Sequence, residues 1–132
     1  MSRVPRSQEH LKTGFKTEAV AAAKFRAYAQ AAEQEGLPKL AERWLALAEA
    51  KDGLAIRQLA AAGQVRAADR SLADALAEER FENDVLYPKM IVDLGSDEAA
   101  DVFREVVDAQ QGHAAELADL RRRLQDASGD IG

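Results

Sequence analysis

Apolar residues return every three or four positions along almost the whole chain, the spacing that stacks side chains on one face of an α-helix. The first such run extends from about Gln8 to Glu35, with Leu11, Phe15, Ala22, Phe25, Ala29 and Ala32 on its apolar face. Gly36 fits the position just past a helix end, and Pro38 fits the first turn of the next helix. The connection is then very short and the two helices antiparallel. The second run continues to about Ala62 and is expected to bury Leu40, Trp44, Leu47, Leu54 and Ala55. Gly63 ends it, and Ser71 with Asp74 forms a start signal for a third helix reaching about Asp93. Pro88 within that helix predicts a kink or one loosened turn. Gly95 and Ser96 read as a stop and a new N-cap. The fourth helix runs to about Asp126, with Val102, Val106, Ala109, Leu117, Leu120 and Leu124 inward. Ala, Leu, Glu and Arg dominate and β-branched residues are sparse, so the expected fold class is all-α. Residues 1–7 are expected to be a polar tail and residues 127–132 a disordered end.

Polar residues interrupt each apolar stripe. Glu18 lies on the first helix and Lys51 on the second; Glu79, with Glu82 or Asn83 a turn later, lies on the third; Gln110 and His113 lie on the fourth. A buried ionised carboxylate without a partner is costly, so it takes a proton, finds a cation or binds a metal. Counted outward from Gly36, Glu18 and Lys51 differ in height by only about 5 Å at 1.5 Å per residue, so they can meet. Counted from Gly95, Glu79, Glu82, Gln110 and His113 share one level. Two antiparallel hairpins of matched length would gather all six inward polar residues into one layer.

Composition narrows the chemistry. The 132 residues fit one domain, and the absence of cysteine removes disulfides, thiolate metal sites and iron–sulfur centres. A net charge of -5 argues against nucleic-acid and anionic-membrane partners. The one basic run, Arg121 to Arg123, suits the C-terminal end of the last helix. No apolar run at the start serves as a signal peptide, and no stretch is long enough to span a membrane, which predicts a soluble, cytoplasmic protein.

The stretch E-R-F-E-N-D-V-L-Y-P at residues 79–88, with T-E-A-V-A-A-A-K-F around Glu18, the Glu35, Gly36, Ala41 and Trp44 region and Q-Q-G-H-A around His113, resembles the rubrerythrin family of ferritin-like proteins. The resemblance covers nearly the whole chain. It implies a ferritin-like four-helix bundle of two antiparallel hairpins over residues 8–126, with Glu18, Glu79, Glu82 and His113 as metal ligands. It also implies a homodimer, with hairpins that can be exchanged between chains. Peroxide or oxygen chemistry would need an external electron donor, because the rubredoxin-type domain is missing. The departures are specific. The second helix carries Lys51 and Leu54 where the family has E-x-x-H, and Gln110 replaces a glutamate. An intact di-iron centre is therefore not expected.

Glu18, Glu79, Glu82 and Lys51 together carry a charge of -2 with His113 neutral. One divalent ion gives neutrality. The carboxylate and imidazole set suits iron, manganese or zinc without choosing among them. In the competing reading no metal binds, Lys51 pairs with Glu18 or Glu79, and the layer only sets packing in a scaffold or interaction module. Tyr87 could relay electrons, although packing beside Pro88 is its simpler role. Lys51 could act as a nucleophile, but three nearby carboxylates favour its protonated form.

Overall fold

A computed structural model describes residues 5–132, so that most of the expected N-terminal tail lies outside the described residues. Five α-helices follow in order: α1 (Arg6–Gln34), α2 (Pro38–Ala61), α3 (Ala68–Phe81), α4 (Tyr87–Leu94) and α5 (Ala99–Asp126). A π-helical turn, Glu82–Leu86, joins α3 to α4 without a break. The all-α class read from the periodicity is what the chain adopts. It divides into two compact units, Met1–Val65 and Arg66–Gly132, each a helical hairpin.

In the first unit, α1 ends in a left-handed Gly36 at φ 76°, and the Leu37 N–H donates to the Ala32 carbonyl at 2.8 Å. Those carbonyls would otherwise lack partners. Pro38 then opens α2, where its missing N–H costs nothing. The seam is built on alanine. Ala41, Ala48, Ala55 and Ala62 recur every seventh residue on the α2 side and are all buried, facing Ala22, Ala29 and Ala32 of α1. Small side chains let the two backbones approach closely. This corrects the expected face: Leu40, Leu47 and Leu54 stand one position away on the same repeat and are 48%, 45% and 50% exposed. At the loop end Trp44 packs on Phe25 and Tyr28, with ring centres 5.0 and 5.1 Å away. At the other end Gln8 donates to the Ala62 carbonyl at 2.8 Å, and the hairpin is antiparallel throughout.

In the second unit, α5 runs back along α3 and α4. Arg121 donates to Asp69 at 3.2 Å near one end, and Tyr87 packs on Phe103 at 5.6 Å near the other. Two expected caps are corrected. α3 begins at Ala68, so Ser71 lies inside it and donates to the Arg66 carbonyl at 2.9 Å. Asp74 instead accepts two bonds from the Arg66 guanidinium, at 3.0 and 2.5 Å. The Ser–Asp pair thus locks the incoming connection. At α5 it is Asp97, not Ser96, whose carboxylate accepts the Ala99 N–H, at 2.9 Å. Pro88 follows the π-helical turn, which is the loosened turn expected of it. Val102, expected to be buried, is 58% exposed, and Ala109 is exposed as well. The sheltered side of α5 includes Ala100, Phe103, Val107, Gln110 and Ala114, a run of alternating three- and four-residue steps, and the expected Val106, Leu117, Leu120 and Leu124 are half-buried beside it. α5 stops at Asp126 as expected; beyond it, Arg123 donates to the Ile131 carbonyl at 3.2 Å.

Charge is divided unequally between the units. Up to Val65 there are ten Lys and Arg against seven Asp and Glu, and from Arg66 onward eight against sixteen, a net +3 and -8. Among the described residues no helix is long and apolar enough to cross a membrane.

Candidate functional site

The polar residues singled out in the sequence fall into two sets, one in each hairpin. In the first, the Lys51 ammonium lies 2.8 Å from Glu18 Oε2, so the pairing expected from their matched heights is present. Both are partly sheltered, with side chains 33% and 21% exposed. Glu18 Oε2 is itself buried. The contact is an ion pair, strengthened by its partial removal from water and satisfied by charge alone. It sits one turn from the Ala22 and Ala48 level of the seam. Leu54, on the next turn of α2, offers no ligand atom.

In the second hairpin the inward oxygens have no partner among the described residues. Eighteen residues separate Asp69 from Tyr87, and eighteen separate Phe103 from Arg121, so the two contacts fix one register. About ten residues in from Asp69 and from Arg121, Glu79 and Gln110 come level. Glu79 Oε2 and Gln110 Oε1 are both buried and lack hydrogen-bond partners. One turn beyond Glu79, Asn83 is 7% exposed, and its Oδ1 is likewise buried and unpartnered. Residues four apart on a helix bring their Cβ atoms to about 5–6 Å. Three side-chain oxygens on the α3–α5 side are therefore buried without partners, two of them on amides that carry N–H donors of their own.

The remaining expected residues stand differently. Glu82 is half-buried and borders an open depression with Ala77, Glu78, Phe81 and Leu86. His113 is exposed, one position from the seam residue Ala114. Tyr87 is half-buried with its ring on Phe103, the packing role weighed for it from sequence. Asn83 is what the sequence pattern left unresolved. Helical spacing offers Glu82 or Asn83 as the inward residue after Glu79, and Asn83, four residues on, is the one that is buried.

The unit's clearest titration effects lie at its far end and at its entry. Hydrogen bonding from Arg121 holds the Asp69 carboxyl below the usual aspartate range, and the Arg66 fork does the same to Asp74. Both are surface pairs that fix helix ends.

Among the described residues, no group of three His, Asp or Glu side chains gathers where it could hold a metal ion. No family model and no curated protein matches the chain.

Proposed function

We propose that this chain is a rubrerythrin-like protein of the ferritin-like class, in which the two hairpins pack as one four-helix bundle, within a chain or by exchange in a homodimer. Its altered carboxylate layer binds at most one iron, manganese or zinc ion, on the α3–α5 side. The observation that carries this reading is the contrast between hairpins. Glu18 has its countercharge in Lys51, whereas Glu79 forms no ion pair among the described residues, and its Oε2, like the side-chain oxygens of Asn83 and Gln110, is buried without a hydrogen-bond partner. A divalent ion is the chemical answer to the second set, and the first set has no need of one. Glu79 would be the central ligand, with Glu82 and His113 on the flanks of the same hairpin. Lys51 holds Glu18 where a second metal would otherwise need it, so an intact di-iron centre does not fit the residues present.

The packing of hairpins is supported by their surfaces. The half-exposed stripe of Leu40, Leu47 and Leu54 lies on the hairpin of net +3, and the other hairpin is net -8, so opposite fields and an uncovered apolar row favour a mixed pairing over a like one. A redox-active ion in the layer would supply peroxide or oxygen chemistry fed by an external electron donor. The chain's own part is to hold the ion by Glu79 and to exclude a second one through Lys51.

The decisive experiment is metal analysis of protein expressed with iron, manganese and zinc supplied in turn, without chelator. About one metal per chain is expected, and its absence in every preparation overturns the proposal. The Lys51–Glu18 pair favours the alternative in that event, a metal-free scaffold in which the lysine permanently replaces the metal's charge.

A further inference from the structure

Two shallow depressions lie along the exposed side of α3 and α4 and meet at Leu86. Ala77, Phe81 and Leu86 give the first its apolar lining, and Leu86, Met90 and Val92 give the second theirs. Phe81 is 57% exposed and Val92 81%, so bulky apolar groups of this trough stand in water. Single exposed apolar residues are ordinary, whereas a continuous row rimmed by charge marks an interaction surface. The rim is acidic, with Glu78 and Glu82 at one end, Asp93 at the other and Lys89 between them. α1 carries the converse pattern. Val20 is exposed midway between Lys16 and Lys24, and Thr17, Ala21 and Phe25 complete the depression around it. The Thr17 hydroxyl is already bonded to the Thr13 carbonyl at 2.9 Å, so it brings no unpartnered donor to this surface. Glu18, the only carboxylate on α1 between Glu9 and Glu33, faces Lys51. Lys16, Lys24, Glu78, Glu82 and Asp93 form no ion pairs among the described residues.

We infer that α1 of one copy docks in the α3–α4 trough of a second copy, the contact being made twice about a twofold axis in a homodimer. Lys16 and Lys24 are eight residues apart, about 12 Å along the helix, and Glu82 and Asp93 are eleven apart, about 16 Å. Two flexible lysine side chains span that difference. With Lys24 toward Glu78 and Glu82, and Lys16 toward Asp93, α1 runs antiparallel to α3 and α4. Val20, midway between the lysines, then falls between Leu86 and Met90, beside the point where the two depressions meet. Opposite charges set this register and disfavour the like pairings, α1 on α1 or trough on trough. The contact is separate from the bundle packing proposed above, which covers the row of Leu40, Leu47 and Leu54, and it needs no metal.

Sedimentation velocity of the full chain at micromolar concentrations reads the contact directly. Lys16→Glu with Lys24→Glu makes α1 acidic, and Glu78→Lys with Asp93→Lys makes the trough basic. Each double variant should dimerise at least about tenfold more weakly than wild type, and high salt should weaken the wild-type dimer in the same direction. Mixed in equal amounts, the two double variants should recover a dimer of near wild-type affinity, because each supplies the charge that the other's altered surface requires. That rescue also shows that both variants are folded. A wild type that stays monomeric overturns the proposal, as does a mixture that fails to dimerise, the result expected if α1 docks within its own chain. A dimer that both double variants retain on their own overturns it too, and assigns the association to hairpin exchange. Glu79, Glu82 and His113 are untouched in every variant, so metal content should match wild type whichever result is obtained, and the two proposals fail separately.

Discussion

Lys51 and Glu18 face each other at 2.8 Å across the α1–α2 seam, one turn from the level where Ala22 and Ala48 are almost wholly buried. The small residues beside them bring the helices close, and the closeness makes the pair short. Removing one partner leaves the other as a poorly solvated charge. Lys51→Met should therefore lower the stability of metal-free protein by about 1–2 kcal/mol, a value reduced from the fully buried case because both side chains keep some contact with water. The double variant Glu18→Leu, Lys51→Met should recover that loss or exceed it, since an apolar pair of similar volume carries no desolvation cost. Urea unfolding of the three proteins gives the comparison. A single variant as stable as wild type would show that the pair carries no energy.

The alanine seam makes a second prediction, about size. Ala48 is completely buried, and its place in the seven-residue repeat leaves no room for more than a methyl group. Ala48→Leu should push the helices apart and cost about 1–3 kcal/mol or more. Its neighbour Leu47 is 45% exposed, so within the hairpin alone Leu47→Ala should cost well under 1 kcal/mol. If the leucine stripe is covered in the assembled protein, as the bundle proposal requires, the cost rises to about 2–3 kcal/mol. Chemical denaturation separates the two cases, and a small loss at Leu47 counts against the bundle.

Gly14 tests how tightly the outer end of that seam is set. A Cβ at that position would run into Gln58 Oε1, but the obstacle is the far end of a flexible side chain. Gln58 is held by a bond from its amide to the Leu54 carbonyl at 3.2 Å. Replacing a mid-helix glycine with alanine gains up to about 1 kcal/mol of helix propensity. Gly14→Ala should thus be neutral or stabilising by about 0.5 kcal/mol, with Gln58 turned outward. A loss beyond about 1 kcal/mol would mean that the backbones, and not the glutamine, are in contact.

Most of the architecture was legible because helix ends announce themselves. Gly36 and Pro38 specify the first turn completely, and Pro88 marks the loosened turn to within a residue. The inward face of α2 was read one position off, on Leu40, Leu47 and Leu54, because large apolar residues usually mark a core. Here α1 offers alanines opposite, and only alanine on α2 lets the two helices close; recurrence of Ala41, Ala48 and Ala55 at strict intervals of seven was the available signal. Glu18 and Lys51 could be paired from their heights alone, since a three-residue loop fixes the register of a hairpin. Asn83 could not be distinguished from Glu82, because both lie about one turn, three and four residues, beyond Glu79. Ser71 and Asp74 misled for a related reason: the capping pattern is present, but Arg66 takes the carboxylate and the helix starts earlier.

The end of the second hairpin gives a prediction in pH. Asp69 accepts from both Arg121 and Gln125, and the hydrogen bond from Arg121 is the largest cause holding its carboxyl below the ordinary value of 3.8. A carboxyl with a depressed value in the folded state binds its proton more readily when unfolded, so folding is favoured at pH above the unfolded value and that contribution fades as the pH drops through the folded one. Asp74, depressed by Arg66, acts in the same direction. Stability should therefore fall as the pH is taken from about 5 toward 2, and Asp69→Asn should flatten that part of the curve while leaving the slope above pH 5 unchanged. Both pairs are exposed to solvent, so salt should weaken the effect in wild type, and less so in the variant, which keeps the Asp74–Arg66 pair. Urea midpoints measured across this range at low and high salt make the test. An unchanged acid limb in Asp69→Asn would show that Arg121 and Asp69 meet without fixing α3 to α5.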